Sequence, residues 1–162
     1  MAVDEARILV TAMMHEVQGE QFYRMAAVAS KDADVRQAFV HLAAEKARHC
    51  QVLRDLLAGV QQGQVCFDPE VLGGAPAADA LAQVASQAAS CEVETCAFKV
   101  GILLEKATID YYRQAAGETD LPEARRLYER LMAWGYEHLD SLERTYEQIT
   151  DAWFEQQRFS PA

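Results

Sequence analysis

Cysteine is scarce in this chain of 162 residues: Cys50, Cys66, Cys91 and Cys96 are the whole supply, and no two of them form a Cys-x-x-Cys pair. Sparse thiols of this kind, in a chain without an export signal, are expected to be reduced rather than bridged. Cys91 and Cys96 lie five apart, about 140° around a helix, so they cannot share one site unaided. Long apolar runs are lacking too. The N-terminus places Asp4, Glu5 and Arg7 in its first turns, a pattern that predicts neither a secretory signal nor a membrane span. Positive charge is in deficit, with 15 Lys and Arg against 25 Asp and Glu and a net charge of -10. No basic patch offsets it, so a nucleic-acid backbone would be repelled. The cytoplasm is the expected location.

What is present is ordinary for a globular protein, with 51% hydrophobic and 25% charged residues. The length suits a single domain over 1–162 with a core of its own. Four stretches carry apolar residues at steps of three and four and read as helices. The first runs from about Asp4 to Ser30, with a seam of Ala12, Glu16, Gly19, Tyr23 and Ala26. After a break rich in capping residues at Ser30 to Asp34, the second follows with Phe39, Leu42, Lys46, His49, Leu53 and Leu56 on one side. Gly63, Pro69, Gly73, Gly74 and Pro76 then mark a loop or crossover, and the Ala-rich residues 79–89 read as a short connecting helix. The third helix, from about Ser90, has the seam Gly101, Glu105, Thr108, Tyr112 and Ala115. Pro122, suited to a first helical position, opens the fourth, whose seam is Tyr128, Leu131, Gly135, His138 and Leu142. Two antiparallel hairpins joined by one long crossover make an all-α, antiparallel four-helix bundle. A C-terminal segment with Trp153, Phe154 and Phe159 is expected to pack against it.

The hairpins repeat one another. An offset of 89 positions carries Glu16 to Glu105, Tyr23 to Tyr112 and His49 to His138. Four polar groups thereby take equivalent places on core-facing seams. Burying Glu16 and Glu105 among alanine, glycine and tyrosine is costly unless a partner neutralises them. A metal ion held by Glu16, His49, Glu105 and His138 is one such partner. Tyr23 and Tyr112 belong to the core, and their hydroxyls could orient the carboxylates opposite.

These residues resemble the erythrin, or rubrerythrin-like, branch of the ferritin-like superfamily. The run from Ala12 to Tyr23, with Glu16, Gly19 and Phe22, is similar to that branch's first helix, and Phe39, Leu42, Ala43 and His49 are similar to its second. Glu105 with Tyr111 and Tyr112, then Leu131 and His138, are similar to the third and fourth. The resemblance spans roughly 140 residues and rests on joint spacing. It implies a ferritin-like fold and a site for two iron ions, held by one Glu from each of helices one and three and by Glu-x-x-His from each of helices two and four. It also implies oxygen, peroxide or iron chemistry and pairing into a homodimer through apolar helix faces. Without paired Cys-x-x-Cys motifs there is no rubredoxin-type iron centre, so a separate protein would have to donate electrons.

Two of the six ligand positions depart from that pattern: where the family carries bridging glutamates, this chain has Lys46 and Gly135. Two carboxylates and one ammonium leave the centre at −1. One divalent ion brings it to +1 and two bring it to +3, whereas no ion and one protonated histidine bring it to zero. One ion, iron or zinc, or none at all is therefore expected ahead of two. Lys46 either pairs with Glu16 or Glu105 or snorkels to solvent. Gly135 could leave room for water, a ligand or the end of Lys46. Glu45 and Glu20 flank the site but are expected at the surface, as are His15 and His41 unless they serve in packing. Two functions follow: a metal-binding, redox-type protein with a depleted site, or a metal-free bundle acting as a structural or protein-interaction module.

Overall fold

Residues 4–64, 69–72, 81 and 92–158 are described in the computed structural model of the chain. Helix α1 (Glu5–Ala29) starts where the Asp4 side chain accepts the Arg7 N–H at 3.2 Å. It ends at Ser30, whose hydroxyl donates back to the Ala26 carbonyl. Asp32 then accepts from the amides of Asp34 and Val35 and caps α2 (Ala33–Gln61). Such caps satisfy helix-end amides that would otherwise lack partners. Beyond a 3-10 turn at Pro69–Leu72 lie α3 (Glu92–Glu118) and α4 (Pro122–Arg158). The first residues of α2 and α4 are themselves 89 apart. Helix α1 packs along α2, α3 along α4, and α1 meets α3 across the bundle.

The apolar core is divided in two. One cluster gathers Tyr23, Phe39, Leu42, Phe98, Leu142, Ile149 and Leu81. The other gathers Leu9, Leu53, Tyr112, Tyr128, Leu131 and Trp134. Shifting by 89 carries Leu9 to Phe98, Phe39 to Tyr128, Leu42 to Leu131 and Leu53 to Leu142, so each cluster is built from the counterparts of the other. Tyr23 stacks on Phe39 at 5.9 Å between centroids, and Tyr112 on Tyr128 at 6.1 Å. Between the clusters lie the buried polar groups of the seam.

Two further buried carboxylates tie helix starts to distant turns. Glu94 accepts the Lys31 and Asp32 amides at 2.7 and 3.0 Å, fastening the start of α3 to the α1–α2 turn. Glu5 accepts from the Tyr128 hydroxyl at 2.6 Å and from the Thr119 hydroxyl, fastening α1 to the α3–α4 turn. These residues are also 89 apart, and the sequence reading did not single them out.

The C-terminal segment departs from expectation. It continues α4 rather than folding back, and Trp153 and Phe154 stand exposed, edge to face at 5.0 Å. The physical reason is length: α2 ends at Gln61, whose counterpart is Thr150, so the last residues of α4 run past the hairpin's repeat. Phe159, Cys66, Cys91 and the connecting helix over 79–89, Leu81 excepted, lie outside the described residues. Among the described cysteines, Cys50 is buried and Cys96 exposed, both as free thiols. No helix among the described residues is long and apolar enough to cross a membrane.

Candidate functional site

Each of the four helices delivers one member of the predicted set to the middle of the bundle, and all four are buried: Glu16 from α1, His49 from α2, Glu105 from α3 and His138 from α4. At their centre stands an ammonium group. Lys46 Nζ lies 3.0 Å from Glu105 Oε2 and 3.7 Å from Glu16 Oε2, with only 4% of the side chain exposed. Lys46 therefore pairs with both carboxylates and does not snorkel. Its stem passes over Gly19, where a Cβ would come within 3.3 Å of Cε, so the bare helix surface there is what admits it.

The opposite oxygen of each carboxylate is held by a tyrosine from the other hairpin. Tyr23 donates to Glu105 Oε1 at 2.8 Å, and Tyr112 donates to Glu16 Oε1 at 2.5 Å. Both Oε2 atoms are thereby turned toward Lys46 and the histidines. His49 Nδ1 stands 3.3 Å from Glu16 Oε2, and His138 Nδ1 stands 3.9 Å from Glu105 Oε2. His49 Nε2 and His138 Nδ1 are buried without a hydrogen-bond partner.

Glu45 corrects the sequence reading. Expected at the surface, it is fully buried on α2 and its Oε2 lies 2.6 Å from His138 Nε2. The reason lies in the facing helix: α2 and α4 each bring a residue four before their histidine against the histidine of the other. On one side that residue is Glu45, against His138. On the other it is its counterpart Trp134, whose ring lies 5.3 Å from that of His49. A buried aromatic as the repeat partner was the signal in the sequence that position 45 faces inward. The other flanking groups stay outside the centre. Glu20 is partly exposed and pairs with Arg24, His41 is exposed beside Gln37, and His15 stacks on Tyr111 at 4.6 Å.

Gly135 leaves no room for water, a ligand or the lysine. A Cβ at this position would stand 2.8 Å from Ile109 Cγ1, so Ile109 fills the space that a side chain here would enter.

The electrostatics follow from burial set against close opposite charge. Burial alone would raise the Glu16 carboxyl, but Lys46 and His49 outweigh it, helped by the Tyr112 hydrogen bond, and hold it at about 2. Glu105 is driven lower still by Lys46 and His138 acting against the same burial penalty. Lys46 resists the downward pull of burial because Glu105 and Glu16 face it, and it remains charged. Burial also pulls His138 down, yet the nearby Glu105 carboxylate and the hydrogen bond to Glu45 push it up to about 9. Burial and the adjoining carboxylates raise the phenols of Tyr23 and Tyr112 well above their ordinary value, which keeps both as donors. Three carboxylates thus meet one ammonium and one imidazolium, with His49 beside them.

A metal ion fits this arrangement poorly. An ion on Glu105 Oε2 would share that oxygen with the ammonium, like charge against like charge in a buried site. Position 46, moreover, carries an ammonium and position 135 no side chain. Among the described residues no three His, Cys, Asp or Glu side chains are arranged to hold a metal.

Residues 7–146 match the family model described as Rubrerythrin. Neither the comparison with curated proteins nor that with solved structures returned a match.

Proposed function

Because the chain belongs to the rubrerythrin family of ferritin-like proteins and yet fills the middle of its bundle with a lysine, we propose that it is a metal-independent member acting as a structural or protein-interaction module. The observation that carries this reading is the Lys46 ammonium, 3.0 and 3.7 Å from the two seam carboxylates. It supplies the positive charge that iron supplies in the family, and it does so whatever the metal supply or redox state. The outer face of α1 supports the interaction role: Val10, Met14, Val17, Met25 and Val28 share it, and Val28 is 88% exposed. Apolar stripes of this kind mark protein contacts, and a second copy of the chain is one partner that light scattering would reveal.

Elemental analysis of protein expressed with and without added iron or zinc tests the proposal. The expected result is substoichiometric metal in both cases and a melting temperature that chelators leave unchanged. A full equivalent of bound metal would overturn it.

One observation favours a second reading. The buried, unpartnered His138 Nδ1 is costly as it stands, and one ion held by Glu16, His49, Glu105 and His138 would use it as a ligand. In that reading the protein binds a single iron or zinc ion and a separate donor supplies electrons for oxygen or peroxide chemistry. Glu16→Ala and His138→Ala would then lower metal content, whereas the metal-independent reading expects no metal to lose.

A further inference from the structure

The centre carries its counter-ion on a tether, and the groups around the tether are fixed in place by their neighbours. Tyr23 and Tyr112 fix the Oε1 atoms of Glu105 and Glu16, which leaves both Oε2 atoms facing inward. The same two oxygens that meet the ammonium also meet the Nδ1 atoms of His138 and His49, at 3.9 and 3.3 Å. Glu45 grips the far nitrogen of His138 at 2.6 Å, which sets the ring and leaves its buried Nδ1 aimed at Glu105. A carboxylate behind a histidine in this manner is the arrangement that orients imidazole toward a metal.

We propose that Lys46 is a gatekeeper: its ammonium occupies the place between Glu16 and Glu105 and keeps divalent cations out, and Glu16, Glu105, His49 and His138 close around an ion only once that ammonium is removed. This inference rests on the metal-independent reading and deepens it by naming the residue that enforces it and the class of ligand that is excluded. Two oxygens and two imidazole nitrogens suit a borderline divalent ion such as Zn²⁺ or Co²⁺. A second ion has nothing to bridge to, since position 135 is glycine and Ile109 fills its surroundings. Truncating Lys46 would open space rather than close it, because Gly19 beneath the stem has no side chain to collapse inward. It would also leave Glu16, Glu105 and Glu45 without the ammonium that offsets them, an excess of negative charge that favours a divalent ion.

The test is a titration of Lys46→Ala and Lys46→Gln, beside the unaltered protein, with Co²⁺. Uptake is read from visible ligand-field absorption and calorimetric stoichiometry, and stability from the melting temperature. The unaltered protein is expected to take up none. Each variant is expected to bind one Co²⁺ per chain, to melt higher as Co²⁺ is added, and to lose both effects when His138→Ala is introduced as well. If Lys46→Ala does not fold alone, refolding in Co²⁺ gives the same readout, and Lys46→Gln retains an amide donor for Glu105. Should both variants fail to take up an ion, folded or refolded with Co²⁺, the gatekeeper inference falls while the metal-independent reading stands. Uptake that survives His138→Ala would also overturn the inference. One equivalent of Co²⁺ bound by the unaltered protein would overturn both.

Discussion

Gly135→Ala is a demanding perturbation because two effects oppose each other at one atom. In the middle of α4, replacing glycine by alanine should gain about 1 kcal/mol from helix propensity. The new Cβ, however, would stand 2.8 Å from Ile109 Cγ1, where carbon atoms normally approach to about 3.5–4.0 Å. Ile109 is 2% exposed, and the atom struck is the branch methylene of a β-branched residue, which cannot swing aside without leaving its rotamer. Overpacking of this kind costs about 1–3 kcal/mol. The expected net effect is a loss of about 1 kcal/mol, or roughly 2–4 °C in melting temperature for a chain of this size. Urea unfolding of the double-mutant cycle with Ile109→Ala isolates the contact. Ile109→Ala alone should cost about 2–5 kcal/mol through its cavity, and the methyl group added at position 135 should refill part of that space. The double variant is therefore expected to be more stable than the sum of the singles by at least about 1 kcal/mol. A stabilising Gly135→Ala, or effects that add within about 0.5 kcal/mol, would show that Ile109 does not hold this space.

The remaining expectations concern the charged centre. Glu16, held at about 2 against an ordinary 4.5, contributes roughly 3 kcal/mol that is present above pH 4.5 and lost as pH falls through about 2. His138, held at about 9 against an ordinary 6.5, works in the opposite direction: its contribution is complete below pH 6.5 and disappears as pH rises through about 9. Urea midpoints should therefore peak between about pH 4.5 and 6.5, and a midpoint that climbs from about pH 7 to 10 would contradict the His138 assignment. Tyr112→Phe and Tyr23→Phe each leave a buried carboxylate oxygen short of a donor and should cost about 1–3 kcal/mol in chemical denaturation; changes below about 0.5 kcal/mol would mean that these hydroxyls do not fix the carboxylates. Glu45→Gln removes the charge that His138 Nε2 faces, and NMR titration should show the His138 midpoint shifted downward. An unmoved midpoint would remove Glu45 from the network.

Much of this was legible before any coordinates. The three-and-four spacing of apolar residues located all four long helices, and the 89-residue offset singled out Glu16, His49, Glu105 and His138, which the fold brings to one place. What the sequence withheld was the third dimension of the seam. Lys46 had two open fates, and only the facing surface of Gly19 decides between them by giving the stem a bare track inward. Glu45 read as solvated because glutamate usually is, yet the partner helix turns it onto His138. Its counterpart Trp134 held that information, since two positions related by the offset share an environment and tryptophan marks it as interior. Gly135 read as an empty space because a missing side chain says nothing about which neighbour fills it. Trp153 and Phe154 read as packing residues from composition, whereas α4 simply outruns the helix pair it would have packed against.

The proposal that Lys46 takes the place of a metal is tested directly by anomalous X-ray diffraction from crystals grown in excess Zn²⁺, with data collected on both sides of the zinc edge. The expected map shows no anomalous peak among Glu16, His49, Glu105 and His138, and Lys46 Nζ in ordinary density 3.0 Å from Glu105 Oε2. A full-occupancy peak between those side chains, with Lys46 swung away, would contradict it.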